Sequence, residues 1–237
     1  MHVLITGASK GIGLALAQRF CADDTRISIC SRSKHSIREA KATIERSSPG
    51  ALVYAAACDV SQETEVTRFL HAAESALGPV DVLINNAGFG IFRSVLDMTV
   101  HEFDRVLATN LRGVFLMTQA VLPGMKQRRS GTVVTISSLA GRNGFAGGSA
   151  YCASKFGVRG LMQSLFLEAR ASDIRVITVF PGSVNTAFFE TAGHPLGERA
   201  KTVLSPEDIA DSVYAAVHLP PRATISELDI RPTNPAG

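Results

Sequence analysis

Short apolar runs alternate along the chain with longer stretches in which apolar residues recur every three or four positions. The runs lie at 2–6 (HVLIT), 26–30 (RISIC), 51–57 (ALVYAAA), 81–85 (DVLIN), 131–137 (GTVVTIS), 174–180 (IRVITVF) and 224–230 (TISELDI). Most are continuous rather than alternating, which marks strands buried on both faces, as in a parallel sheet. Between them the spacing predicts helices near 11–22, 34–47, 62–77, 99–126, 150–172 and 206–218. Start signals accompany two of these. Ser61 precedes Glu63-Thr64-Glu65, and Ser205-Pro206-Glu207-Asp208 sets a capping serine before a proline at the first helical position.

Strand–helix alternation implies right-handed βαβ crossovers. The expected fold is α/β: a doubly wound parallel sheet of about seven strands, with helices on both faces. No internal repeat and no Pro/Gly/Ser-rich linker divides the chain, so 1–237 reads as a single domain. The stretch 186–204 has no strong pattern and follows a predicted strand end. Open α/β sheets bind ligands at the carboxyl ends of their strands, so this stretch reads as a lid.

Composition narrows the classes. At 237 residues and 46% hydrophobic, the chain can bury a large core without staples. The 24 basic and 21 acidic residues are scattered and leave a net charge of +3, which gives no nucleic-acid footprint. The tightest basic cluster, Lys126-Gln127-Arg128-Arg129, reads as a solvated loop. Cys21, Cys30, Cys58 and Cys152 show no C-x-x-C or Cys/His spacing, so no metal site is expected. Reduced thiols and a cytoplasmic location are the default. Met1-His2-Val3-Leu4-Ile5 enters a strand that turns at Gly7, leaving no room for a targeting peptide. No apolar run approaches the roughly 18–20 residues that span a bilayer, so no membrane partner is expected.

The first candidate chemistry is the turn Thr6-Gly7-Ala8-Ser9-Lys10-Gly11-Ile12-Gly13 after the first strand. Gly7 allows a tight turn, Gly11 lets a pyrophosphate approach the backbone, and Gly13 lets the helix pack against the sheet. Helix N–H groups and the helix dipole would then hold the phosphates. The spacing is G-x-x-x-G-x-G rather than G-x-G-x-x-G. An NAD site would place a carboxylate at the end of the second strand for the ribose hydroxyls. This chain has Ser31 and Arg32 there, and Lys10 inside the turn. Two cations and no carboxylate suit a 2′-phosphate, which predicts NADPH over NADH.

Taken with the rest of the chain, these residues resemble the short-chain dehydrogenase/reductase family, in its NADP-preferring subgroup. The resemblance covers essentially the whole chain and runs in family order. After the glycine turn come Asp59-Val60, Asn85-Asn86-Ala87-Gly88, Asn110, Ser138, Tyr151-x-x-x-Lys155, and Pro181-Gly182 followed by Thr186. It implies a Rossmann-type fold and a hydride transfer coupled to proton transfer. Tyr151 would be the acid. Lys155, one helical turn on, shares its face, and its cation with that of the oxidised nicotinamide would lower the tyrosine's pKa from about 10. By resemblance, Lys155 would also hold the nicotinamide ribose, Ser138 would bond the substrate oxygen, and Asn110 would hold a water linking Lys155 to solvent. Strand alternation points Ser137 and Ser138 to opposite faces, and the family spacing selects Ser138.

The remaining cofactor contacts also follow from the resemblance. Asp59 would bond the adenine amino group, and the Val60 backbone would lie near the ring. Asn86 would line the adenosine ribose, with Ala87 and Gly88 beside it. Ile12 would offer its N–H to the phosphates, and Ser9 and Lys10 lie in the same turn. Val184 would offer its backbone, and Thr186 its hydroxyl, to the carboxamide, with Pro181 and Gly182 alongside. The family is usually dimeric or tetrameric through the two long helices 99–126 and 150–172.

Phe89, Phe92, Gly144, Phe145, Phe188 and Phe189 are expected around the substrate. All are apolar and none is charged, which favours a hydrophobic or aromatic carbonyl compound. An NADPH-dependent carbonyl reductase is the first reading. A 3-oxoacyl–acyl-carrier-protein reductase fits the first two-thirds equally well, but its usual T-G-Q…V-D-G-G finish is absent. Glu227-Leu228-Asp229-Ile230-Arg231-Pro232-Thr233, with Tyr151-Cys152-Ala153-Ser154-Lys155-Phe156-Gly157, is more similar to bacterial sepiapterin-reductase-type carbonyl reductases. A non-catalytic NADP(H)-binding sensor is the reading from another class, and relatives of that kind typically lose the Tyr or the Lys.

Overall fold

The structure is a computed structural model and describes residues 1–21 and 25–234. Seven parallel strands form one sheet in the order β3-β2-β1-β4-β5-β6-β7. They are β1 His2–Thr6, β2 Arg26–Ser31, β3 Val53–Ala57, β4 Val82–Asn85, β5 Gly131–Ile136, β6 Ile174–Pro181 and β7 Glu227–Ile230. β1 and β4 are buried throughout and β5 at all but its first residue, as their unbroken apolar runs require. Helices cover both faces. One core joins Leu16, Phe20, Ile37 and Val213 to the sheet. The other joins Phe69, Met117, Val158 and Met162 to it. This is the Rossmann-type doubly wound arrangement.

The helices are α1 Gly11–Phe20, α2 Lys34–Ser47, α3 Glu63–Leu77, α4 Val100–Leu107, α5 Gly113–Arg128, α6 Ser149–Ala169, α7 Ala187–Thr191 and α8 Pro206–Val217. Capping fixes several starts. Thr99 and Glu102 form a capping box on α4, and Ser205 and Asp208 form one on α8 with Pro206 in the first turn. Ser61 does not cap α3. Its hydroxyl bonds Asp59 at 2.8 Å instead, and Gln62 occupies the cap position without a side-chain bond. The helix expected over 11–22 ends at Phe20, and residue 22 lies outside the described residues.

The helix expected over 99–126 runs from Val100 to Arg128, with a wider π turn at Ala108–Arg112 between α4 and α5. One further expectation changes. Lys126 and Arg128 close α5 rather than forming a loop, and Arg128 donates to the Val80 carbonyl at 2.7 Å. The stretch 186–204 is a structured excursion. α7 and a 3-10 turn at Gly197–Lys201 lie within it, and a Val184–Leu204 bridge pins its base. Strand order reverses between β1 and β4, and the cleft opens there, beyond Thr6 and Asn85.

Candidate active site

The cleft measures about 1140 Å³ and gathers segments scattered through the sequence. Its floor is backbone. Gly7 and Gly11 take φ of +65° and +56°, a region that favours glycine. Gly13 stands behind the wall. A Cβ there would lie 2.5 Å from the Gly7 carbonyl oxygen and 2.8 Å from Ala8 Cα, so only glycine lets α1 start this close to the turn. Thr6 Oγ1 accepts from the N–H groups of Asn86 and Ala87, each at 3.0 Å. Asn86 Nδ2 donates to the carbonyls of Thr6 and Gly7. The turns after β1 and β4 are thereby fastened together.

The other expected cofactor residues meet on this wall. Ser9, Lys10, Ile12, Arg32, Asp59, Val60, Gly88, Pro181, Gly182, Val184 and Thr186 all line the cleft. Asp59 Oδ1 is occupied by Ser61, which orients the carboxylate. A dinucleotide fits this wall: a left-handed glycine turn at the start of α1, two cations at one end, and Asp59 as the single lining carboxylate among the described residues.

Tyr151 and Lys155 rise from the first two turns of α6 and are almost fully buried. Ser138 lies two residues past β5, caps a short 3-10 turn through the Ala140 N–H at 3.1 Å, and stands against the Tyr151 phenol. Ser137 turns away and donates weakly to the Lys155 carbonyl at 3.4 Å. Lys155 Nζ donates to the Ile136 carbonyl at 2.9 Å and lies 5.7 Å from the Tyr151 ring centre. Burial pushes the phenol up to about 12, against a smaller opposing effect of the Ser138 hydroxyl. Burial also pulls Lys155 down to about 8. Desolvation is thus the dominant influence on the tyrosine within the chain itself.

Asn110 lies in the π turn, fully buried and behind the cleft wall. Its Oδ1 accepts from the Phe89 N–H at 3.0 Å, and Nδ2 donates to the Phe89 carbonyl and to Ser154 Oγ. Both amide hydrogens are thus used. A methyl placed on Gly88 would lie 3.2 Å from Asn110 Oδ1 and 3.8 Å from Lys155 Nζ, so the two groups face a common point.

The substrate end is built of rings. Phe92 contacts Phe145, Tyr151, Phe188 and His194, with centroids 5.4–6.1 Å apart. Phe188 also contacts Tyr151 and Phe189. Gly144 lines the cleft beside open space. Phe89 departs from the expected grouping, because its ring faces Arg32 and Arg105 instead. The wall is not uncharged either. Arg93, His194 and Arg199 join it, and Arg93 is paired with Glu102 at 3.0 Å. No sequence signal marked these three, because each borders the cleft only through the fold.

The family model for short chain dehydrogenases matches residues 1–196. The chain belongs to that family, whose members are oxidoreductases. It is similar to a sepiapterin reductase of Chlorobaculum tepidum, at 36% identity over 98% of this chain and 96% of the relative. Among solved structures it is similar to a metagenomic short-chain oxidoreductase in complex with NADP, with a TM-score of 0.85, 34% identity, and coverage of 99% and 97%. An alcohol dehydrogenase from the archaeon Thermococcus sibiricus, complexed with 5-hydroxy-NADP, gives a TM-score of 0.89 at 27% identity, covering 98% and 96%. No helix among the described residues is long and apolar enough to cross a membrane.

Proposed function

We propose that this chain is an NADP(H)-dependent carbonyl reductase acting on hydrophobic or aromatic ketones and aldehydes, with Tyr151 as the proton donor. One observation carries the reading. The Tyr151 phenol meets Ser138 at the cleft floor, beneath an aromatic wall and one helical turn from Lys155. Lys10 and Arg32, with no carboxylate at the end of β2, support NADP(H) over NAD(H). Solved relatives complexed with NADP agree with that choice.

The nicotinamide, when bound, supplies the hydride to the carbonyl carbon. The chain's own residues supply the rest. Tyr151 releases its proton to the carbonyl oxygen as charge develops there, and Ser138 donates a hydrogen bond to the same oxygen. A phenol held near 12 stays protonated at neutral pH, which suits a donor. Lys155, positively charged below about 8, stabilises the phenolate left behind and holds the nicotinamide ribose. Asn110 Oδ1 retains a lone pair facing the point beside Gly88 and would anchor a water through which Lys155 reaches solvent. The excursion 186–204 serves as the lid. Phe115 and Phe156, exposed on α5 and α6, support pairing of those helices in a homodimer or homotetramer.

The test is Tyr151→Phe, assayed by NADPH oxidation against diketones, aromatic aldehydes and a 3-oxoacyl thioester. Turnover should fall at least about a hundredfold with NADPH affinity kept. Substantial residual turnover would remove Tyr151 as the acid, and preference for the thioester would replace the substrate class.

A further inference from the structure

Arg32 carries the cofactor choice proposed above, yet it sits on an exposed turn where a long side chain has no fixed position. Its guanidinium makes one contact among the described residues, with the Phe89 ring, at 5.7 Å from the centroid. Arg105, from α4, faces the same ring at 5.7 Å. The ring itself is firmly based. Phe89 is half-buried in the cleft wall, and its backbone N–H and carbonyl are both bonded by the buried Asn110 side chain, at 3.0 and 2.9 Å.

We propose that Phe89 is a positioning residue for cofactor choice: its ring holds the Arg32 guanidinium at the rim of the cleft, ready to meet a 2′-phosphate. This rests on the NADP(H) reading and extends it to a side chain that does not itself touch the phosphate. The physical reason is preorganisation. A cation held over an aromatic face keeps its charge and its planar donors while losing much of its freedom before the ligand arrives. The backbone clamp makes the ring a stationary support, because the same Asn110 amide that fastens Phe89 is packed in the π turn. Replacing the side chain leaves that clamp intact, so the ring's effect is separable from the fold of the loop.

The test is calorimetric titration of the protein with adenosine 2′,5′-bisphosphate and, separately, with adenosine 5′-monophosphate. Phe89→Leu should weaken the bisphosphate about two- to fivefold, the range a surface cation–ring contact supplies, and leave the monophosphate unchanged. Phe89→Met keeps the bulk without the ring and must show the same selective loss, while Phe89→Tyr must restore wild-type binding. Equal losses for both nucleotides, no loss for either, or tighter bisphosphate binding would each overturn the proposal. Arg32→Ala keeps the two readings apart. If the wild-type protein shows no preference for the bisphosphate, the NADP(H) reading itself fails; if Arg32→Ala retains the preference, Arg32 does not carry it and the proposal fails. If Arg32→Ala loses the preference while Phe89→Leu does not, only the role of the ring fails.

Discussion

The two ends of the cleft are built from different materials. At the glycine turn the wall is backbone. Thr6, Asn86 and Ala87 share hydrogen bonds near 3.0 Å, and the space at Gly13 is too small for a single added methyl. At the substrate end the wall is side chain. Phe92 touches four other rings, Phe145 is 47% exposed, and the excursion that supplies Phe188 and His194 is pinned mainly at its base. A backbone wall offers one shape, fixed with the fold. A wall of rings can repack, and the ring identities set what it accepts. One chain thus combines a rigid seat for a common ligand with an adaptable seat for a particular one.

Substitutions should break this comparison unequally. Gly13→Val should have the largest effect, because its side chain meets backbone atoms that cannot step aside. We expect a stability loss of about 3 kcal/mol or more, with dinucleotide binding lost alongside, read by thermal unfolding and cofactor titration. A variant with wild-type stability and binding would show that the wall is not rigid. Phe188→Ala should act more narrowly. It removes contacts with Phe92, Tyr151 and Phe189. Each ring pair is worth about 0.5–1.5 kcal/mol, so KM for aromatic carbonyls should rise about tenfold while NADPH binding holds. Opening the site to water should also move the Tyr151 phenol down from about 12, read as a difference in phenolate absorbance between wild type and variant on alkaline titration.

The smallest effect should come from His2, at the opposite end of β1 from the cleft. Its ring bonds the Gly78 carbonyl at 2.7 Å and Ser28 Oγ at 2.8 Å, and burial holds its pKa below the ordinary value. The unfolded chain therefore binds the proton more readily. The contribution of this site is complete above about 6.5 and is lost as pH falls below that, through the depressed folded pKa. Urea unfolding midpoints of wild type and His2→Gln should converge on acidification. Parallel curves between pH 7 and 5 would contradict this.

Much of the architecture was legible because its signals are local. Continuous apolar runs identify buried strands, and Ser205-Pro206 identifies a helix start. The glycine turn is readable for the same reason: close backbone approach leaves a mark at Gly7, Gly11 and Gly13. What escaped depends on distant partners. The π turn at Asn110 arises where one amide must serve both Phe89 and Ser154. Ser61 looked like a cap but is taken by Asp59. Arg93, His194 and Arg199 reach the cleft from loops without motifs. The tyrosine's raised pKa follows from the rings packed over it, a fact of burial that residue spacing does not carry.

The last strand has a bearing on how the protein is made. Glu227 and Asp229 of β7 receive Arg142, at 2.8 and 2.7 Å, and Glu227 also binds Arg159 at 3.0 Å. Arg142 follows the turn that Ser138 caps, and Arg159 lies one helical turn beyond Lys155. A nascent chain emerging from the ribosome as far as Pro181 already carries the glycine turn, Asn110, Ser138, Tyr151 and Lys155. It lacks the carboxylates that tie the Ser138 turn to α6. Most of the wall for the nucleotide is thus made before β7, and the turn and helix that carry the chemistry gain this carboxylate tie only when β7 arrives.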